Sequence, residues 1–216
     1  MERSRHGEAF YRDFINRKFG YKILAYEYTI FYHLNNILRL NPKAKIFDFG
    51  GGFGEHFLRY KHHSKQSPLW SVYDREQKMR FQNDIISRFQ TETLTFTNQM
   101  EGDYDILISC GAIHYLEHYQ SCMSKLLKAN MGGGGVKHIL LQRVPIQQKT
   151  TTYVTLQNTG EIYSVGYIFN ETEFLSFFYN LGYTLVDEWL DYYDVVNIPF
   201  HRSISPGVFK GYFLQR

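Results

Sequence analysis

Lys45-Ile46-Phe47-Asp48-Phe49-Gly50-Gly51-Gly52-Phe53-Gly54-Glu55 decides the reading of this 216-residue chain. Three apolar residues around one acid read as a short buried strand, the glycines as a sharp turn, and residues 55–66 as a helix. Working outward, the same alternation repeats. Apolar runs at 69–73 (LWSVY), 93–97 (TLTFT), 104–109 (YDILIS) and 136–144 (VKHILLQRV) are separated by helix-length segments at 75–90 and 115–130. Alternating strands and helices of this length predict an α/β fold with a parallel sheet. Upstream, Ile23, Tyr26, Ile30, Leu34 and Ile37 fall three and four apart, which predicts a helical N-terminal forty residues. Asn41-Pro42 ends that helix, because the residue before a proline is driven out of the α region. After Val144 the rhythm breaks. Some 25 residues rich in Thr, Tyr and Gln predict a long connection or an irregular hairpin, a length usually reserved for binding segments. A short helix at 171–180 and two closing strands, YTLVDEWL and GVFKGYFLQ, complete the chain. Gly132–Gly135 reads as a flexible turn.

Composition narrows the class. The chain holds 18 Phe, 18 Tyr and 2 Trp, too many aromatics for a disordered protein. Its length fits one compact domain. No run approaches the roughly 18 apolar residues of a membrane span, and the first ten residues lack the apolar core of a signal peptide. A cytoplasmic protein with no membrane association is the simplest expectation. Cys110 and Cys122 form no CxxC pair, so neither a disulfide framework nor a zinc ribbon is implied. A formal charge of +3 and a pI near 8.7 are too mild for a nucleic-acid partner.

The glycine loop discriminates between two cofactor classes. In the dinucleotide fingerprint GxGxxG counted from Gly50, the third glycine would fall at position 55, which is Glu55, so a nicotinamide oxidoreductase is disfavoured. The pattern DxGxGxG is met by Asp48, Gly50, Gly52 and Gly54, with Gly51 between them. It is the loop of class I methyltransferases that use S-adenosylmethionine (SAM). Glycines let the backbone approach a ligand closely, and a carboxylate at the strand end suits an ammonium, directly or through water. Asp74, at the end of the next strand, stands where a carboxylate accepts both ribose hydroxyls. The alternative is a plain tight turn with Asp74 as the cap of the following helix.

Beyond the loop, the chain resembles a family of small bacterial methyltransferases often associated with surface-polysaccharide genes. The residues carrying the resemblance are Asp48 to Gly54, Trp70 leading the second strand, Gly111 to Glu117, Arg143-Val144-Pro145, Thr155-Leu156-Gln157, Gly182-Tyr183 and Trp189. The family carries Gln where this chain has His114. The resemblance implies a class I, Rossmann-like sheet, mostly parallel with an antiparallel last strand, and SAM as cofactor; it supplies no acceptor. In that fold Asn98 and Gln99 are placed for the adenine edge, with a polar turn as the equal alternative, and Cys110 and Gly111 face the cofactor. Helices on both faces, an N-terminal helical cap over 1–42, a SAM-binding core at 43–144 and an acceptor-side part at 145–216 follow.

Methyl transfer from a sulfonium needs alignment and exclusion of water, and a base only where an acceptor hydroxyl must lose its proton. His114 is the candidate base, against a surface or capping histidine. Arg143 is the candidate for an anionic acceptor group, against an ordinary salt bridge. Tyr115, Gln157, Tyr163, Tyr167 and His201 are further acceptor-side candidates. His114-Tyr115-Leu116-Glu117-His118 matches the inverted zinc motif HxxEH, but it starts at a strand end, before a full helical turn, so no metal is expected. The expected function is methylation of a small molecule, with a non-catalytic SAM-binding protein as the rival. Aromatics concentrate in residues 1–40, with 9, and in 163–200, with 12, which predicts that these two segments pack together over the strand ends and wall the acceptor pocket.

Overall fold

The computed structural model describes residues 8, 11, 12, 14, 21–74, 76, 80–129, 135–158 and 163–216, without the side chains of 128, 129 and 193–195. The helices are α1 (Glu27–Leu40), α2 (Glu55–Ser64), α3 (Gln82–Arg88), α4 (Tyr119–Ala129) and α5 (Glu171–Asn180). The strands are β1 (Lys45–Phe49), β2 (Leu69–Tyr73), β3 (Leu94–Thr97), β4 (Ile106–Cys110), β5 (His138–Gln147), β6 (Tyr153–Asn158), β7 (Tyr163–Asn170), β8 (Thr184–Val196) and β9 (Gly207–Gln215). Strands β3, β2, β1, β4 and β5 lie side by side and parallel. β9 runs antiparallel to β5, and β8 pairs antiparallel with β9 on its far side. The sheet is therefore mostly parallel, with the last strand in the chain antiparallel to β5, as the sequence implied.

Strand alternation explains the helices on both faces. Ile46, Ile106, Ile108, Leu140 and Phe213 point into one core with Leu34, Phe57 and Trp70. Their neighbours Phe47, Leu107, Ile139, Leu141 and Leu214 point into a second core, with Met123 of α4 and Phe174 of α5. The candidate site lies at the carboxyl ends of β1, β2, β4 and β5, where the two layers meet.

Four sequence expectations change. Residues 8, 11, 12 and 14 are helical as expected, but 21–26 are not, and the helix carrying Ile30, Leu34 and Ile37 begins at Glu27, where the Glu27 carboxylate accepts the Leu24 N–H at 2.8 Å and the Glu27 N–H donates to Leu24 O, closing a turn that leaves Ile23 outside the helix. Helix 115–130 starts later, at Tyr119; Ile113–Tyr115 is a single 3-10 turn followed by extended Leu116. In 75–90, residue 76 is helical, residues 80 and 81 form a turn, and Gln82–Arg88 is a helix. The expected irregular stretch after Val144 is regular: β5 continues to Gln147, and β6 and β7 form an antiparallel hairpin whose β7 end pairs with the end of β5. Gly132 to Gly134 lie outside the described residues.

Candidate functional site

The glycine loop is packed tightly on the protein's own groups. Gly50 has φ +75°, and a Cβ there would lie 2.3 Å from Cβ of Ala112, the residue just after β4 and Gly111. At Gly51 a Cβ would lie 2.4 Å from Asp48 Oδ2. Any side chain at either position would displace a neighbour, which explains two of the glycines without a ligand. The Gly52 N–H donates to Asp74 Oδ2 at 2.9 Å. That bond draws the carboxylate ending β2 to the loop that follows β1, the juxtaposition expected of a ribose-binding acid. An ionised carboxylate offers about four acceptor positions.

Asp48 is completely buried beneath Gly51. Its Oδ2 accepts from Trp70 Nε1 at 3.1 Å and lies 3.4 Å from His56 Nδ1; its Oδ1 has no hydrogen-bond partner among the described residues. Asp48 is thus set into the floor of the loop, with Gly51 lying over it. Asn98 and Gln99 follow β3 as exposed side chains joined by a Gln99 Nε2 to Asn98 Oδ1 hydrogen bond of 3.1 Å. Cys110 ends β4, and Gly111, at φ +65°, donates its N–H to Gln142 O.

A second cluster lies around Arg143. This residue adopts φ +59° at the point where the β5–β9 register shifts between Leu141 and Val144. A non-glycine residue in that region costs on the order of 1–3 kcal/mol and persists only where the surroundings hold it. Here the guanidinium carbon lies 4.9 Å from the ring centres of both Tyr26 and Phe209, and Nη1 is 3.7 Å from Asp191 Oδ2. Asp191 is 4% exposed and accepts from Gln142 Nε2 at 3.0 Å; Gln142 in turn accepts from the Trp189 indole. Arg143 therefore has the ion pair of its bland alternative, and two of the residues that hold it, Tyr26 and Asp191, line a cavity of about 490 Å³ together with Thr29, Gln142 and Trp189.

His114 is buried, not the surface or capping residue of its alternative reading. Its ring centre is 4.1 Å from Tyr115 and 6.2 Å from Phe209. Desolvation, with the Arg143 charge as a smaller contribution, pushes its pKa down from the ordinary 6.5 to about 4. The imidazole is neutral at pH 7, and its Nδ1 has no hydrogen-bond partner among the described residues. The Tyr115 hydroxyl donates to Gln157 Oε1 at 2.8 Å, and a Cβ on Gly166 would sit 3.6 Å from Gln157 Nε2 and 3.7 Å from His114 Cδ2. Tyr115, Gln157 and His114 are thus brought together under the β6–β7 hairpin. Tyr167 leans on the second core, stacking on Phe169, whereas Tyr163 and His201 are exposed and join neither cluster. His118 is exposed and outside the 3-10 turn that holds buried His114, so the HxxEH residues do not share a helical face. No group of three metal-ligating side chains occurs among the described residues.

The two aromatic segments meet the site. Tyr11 and Phe14 contact the loop residue Phe53 at ring distances of 5.5 and 5.3 Å, and His33 packs 5.6 Å from Trp189. Sequence reasoning missed His56, Glu27, Gln142, Asp191 and Phe209. His56 directly follows the loop, a position that could have drawn notice; the others carry no spacing signal.

The fold is the Rossmann-like methyltransferase fold. Over 97% of this chain and 97% of the other, it matches magnesium protoporphyrin IX methyltransferase (ChlM) from Synechocystis PCC 6803 with bound SAM, at TM-score 0.56 and 12% identity. Over 86% of this chain and 80% of the other, it matches the N-terminal domain of EvdMO1 with S-adenosylhomocysteine (SAH) bound, at 0.53 and 11%. An S-adenosylmethionine-dependent methyltransferase from Mesorhizobium loti matches over 81% and 91%, at 0.51 and 13%. At these identities the likeness is one of fold. No family model and no curated protein matches the chain.

Proposed function

We propose that the chain is a SAM-dependent methyltransferase acting on a hydroxyl of a small molecule, with a sugar or polysaccharide precursor as the acceptor class favoured by the sequence resemblance. The observation that carries the assignment is the Gly52 to Asp74 hydrogen bond, which joins the DxGxGxG loop to the acid after β2 at the carboxyl ends of parallel strands. The donor set fits SAM: a carboxylate at the end of β2 hydrogen-bonded to the loop, and beneath the loop a buried acid with one oxygen unpartnered among the described residues. Asp48, Gly50, Gly51, Gly52, Gly54 and Asp74 would hold it, with Cys110 and Gly111 beside them and the amides of Asn98 and Gln99 at the adenine end. When bound, SAM supplies an electrophilic methyl group.

The chain's own residues would do the rest. Neutral His114 accepts a hydrogen bond from the acceptor hydroxyl at Nδ1 and so orients an oxygen lone pair. An imidazole of pKa about 4 is a poor base toward a free alcohol. It suffices for an alcohol oxygen that is already gaining a bond to carbon, whose proton is far more acidic. Arg143, clasped by Tyr26 and Phe209, offers cationic donors to an anionic acceptor group. Tyr115 and Gln157 contribute polar contacts from the other side, with Tyr163, Tyr167 and His201 as outer candidates.

The proposed organisation is one catalytic domain, in which residues 1–42 cap a cofactor core at 43–144 and residues 145–216 form the acceptor side. No helix among the described residues is long and apolar enough to cross a membrane, in keeping with the proposed cytoplasmic location. Incubating the protein with SAM and a panel of nucleotide sugars, and following SAH, tests the assignment. His114→Ala is expected to lower turnover about 100-fold with SAM affinity retained; unchanged turnover would remove His114 from the chemistry.

A further inference from the structure

Glu27, the first residue of α1, is 1% exposed and is the hub of a buried charge network. Its Oε1 lies 2.6 Å from Arg59 Nη1 and 3.6 Å from His56 Nε2, while Oε2 holds the Leu24 N–H. The other ring nitrogen of His56 faces Asp48 Oδ2 at 3.4 Å, and Cys110 also lies close to the ring. The groups facing His56 are therefore Asp48 from β1, Glu27 from α1 and Cys110 from β4, with Arg59 one turn further along its own helix.

Among the described residues, two buried carboxylates against Arg59 alone would leave an uncompensated negative charge, which is costly in a desolvated site. A cationic His56 restores the balance. Burial by itself would strip the ring of its proton, but the Asp48 carboxylate, with Cys110, more than offsets it and holds the imidazole well above its ordinary range.

The network spans both halves of the site. At one end Asp48 fills the space under Gly51. At the other, Glu27 follows Tyr26, whose ring stacks on Arg143 and lines the 490 Å³ cavity. We propose that Glu27, His56 and Asp48 form a positioning clamp in which His56, gripped between two buried carboxylates, locks the segment carrying Tyr26 onto the glycine loop. Cofactor loop and acceptor cavity are then held as one unit. The meaning given to those two halves rests on the function proposed above; the clamp itself does not.

The test begins with NMR titration of the His56 ring in the ligand-free full chain. The ring is expected to remain imidazolium through neutral pH, and a midpoint near 6.5, the ordinary value, would overturn the clamp. Glu27→Gln, His56→Gln and the double variant are then compared by calorimetry with SAM and by thermal midpoint. Each single variant is expected to weaken SAM binding about tenfold, and the double no more than either alone. Fully additive losses, or unchanged affinity in folded single variants, would overturn it. In Glu27→Gln the His56 midpoint should fall, so that its SAM affinity weakens as pH rises through that midpoint while the wild type stays flat; a purely packing role moves no such profile. Should the variants fail to fold, the wild-type titration still decides. Should the wild type bind no SAM, the proposed function fails, while the clamp is judged by the titration and by the same cycle in thermal midpoints.

Discussion

Gly51 lies so close over Asp48 that one added carbon has nowhere to go: it would stand 2.4 Å from Oδ2 and 2.5 Å from Cγ. Gly51→Ala is therefore expected to destabilise the fold by about 2 kcal/mol, read by urea unfolding, and to weaken SAM binding as the loop shifts. His114 gives a pH-dependent signature. Its imidazole titrates near 6.5 in the unfolded chain and at about 4 when folded, so below 6.5 the unfolded state binds the extra proton. The stability linked to neutral His114 is complete above about pH 6.5 and lost as pH falls toward 4, amounting to about 3 kcal/mol over that interval. His114→Gln should flatten that acid limb in urea titrations at pH 7 and at acid pH; an unchanged slope would contradict burial as the cause. Among single residues, the loop glycines and Asp74 were legible because a motif fixes their spacing. Glu27 and His56 were not, since a contact between residues 29 apart on two helices follows no sequence period.

At the scale of elements, legibility followed the clarity of the ends. β1 and β2 span the apolar runs read from the sequence because turn residues bound them. The final helix, α5, was read correctly for a similar reason: Asn170 caps it, accepting the Glu173 N–H at 3.1 Å. Asn170→Ala should cost about 1 kcal/mol, visible as a lower thermal midpoint with SAM affinity intact. The β6–β7 hairpin was obscure because its pattern is inverted. Val154, Leu156, Tyr163 and Val165 are exposed on its outer face, whereas Thr155, Gln157, Ser164 and Gly166 form the alternate face, and Gln157 and Gly166 there meet Tyr115 and His114. Reading apolar residues as inward would have turned the hairpin over. The break at 21–26 in the N-terminal helical region was missed because periodicity cannot register that the Glu27 carboxylate closes a turn on Leu24.

For the whole molecule, the uneven placement of aromatics was the informative feature. Tyr26 and Trp189, one from each enriched segment, line the same cavity, and Tyr11 and Phe14 rest against Phe53 of the glycine loop. These rings join the N-terminal segment, the glycine loop and the edge of the sheet near one end of the parallel strands, where ligands of open α/β folds bind. Cofactor identity is the claim on which the rest depends, and calorimetric titration of the protein with SAM tests it most directly. The account predicts one-to-one binding that weakens at least about tenfold in folded Asp74→Ala, corresponding to about 1.4 kcal/mol for the lost ribose contacts. No binding of SAM by the wild type, or equal affinity in Asp74→Ala, would contradict it.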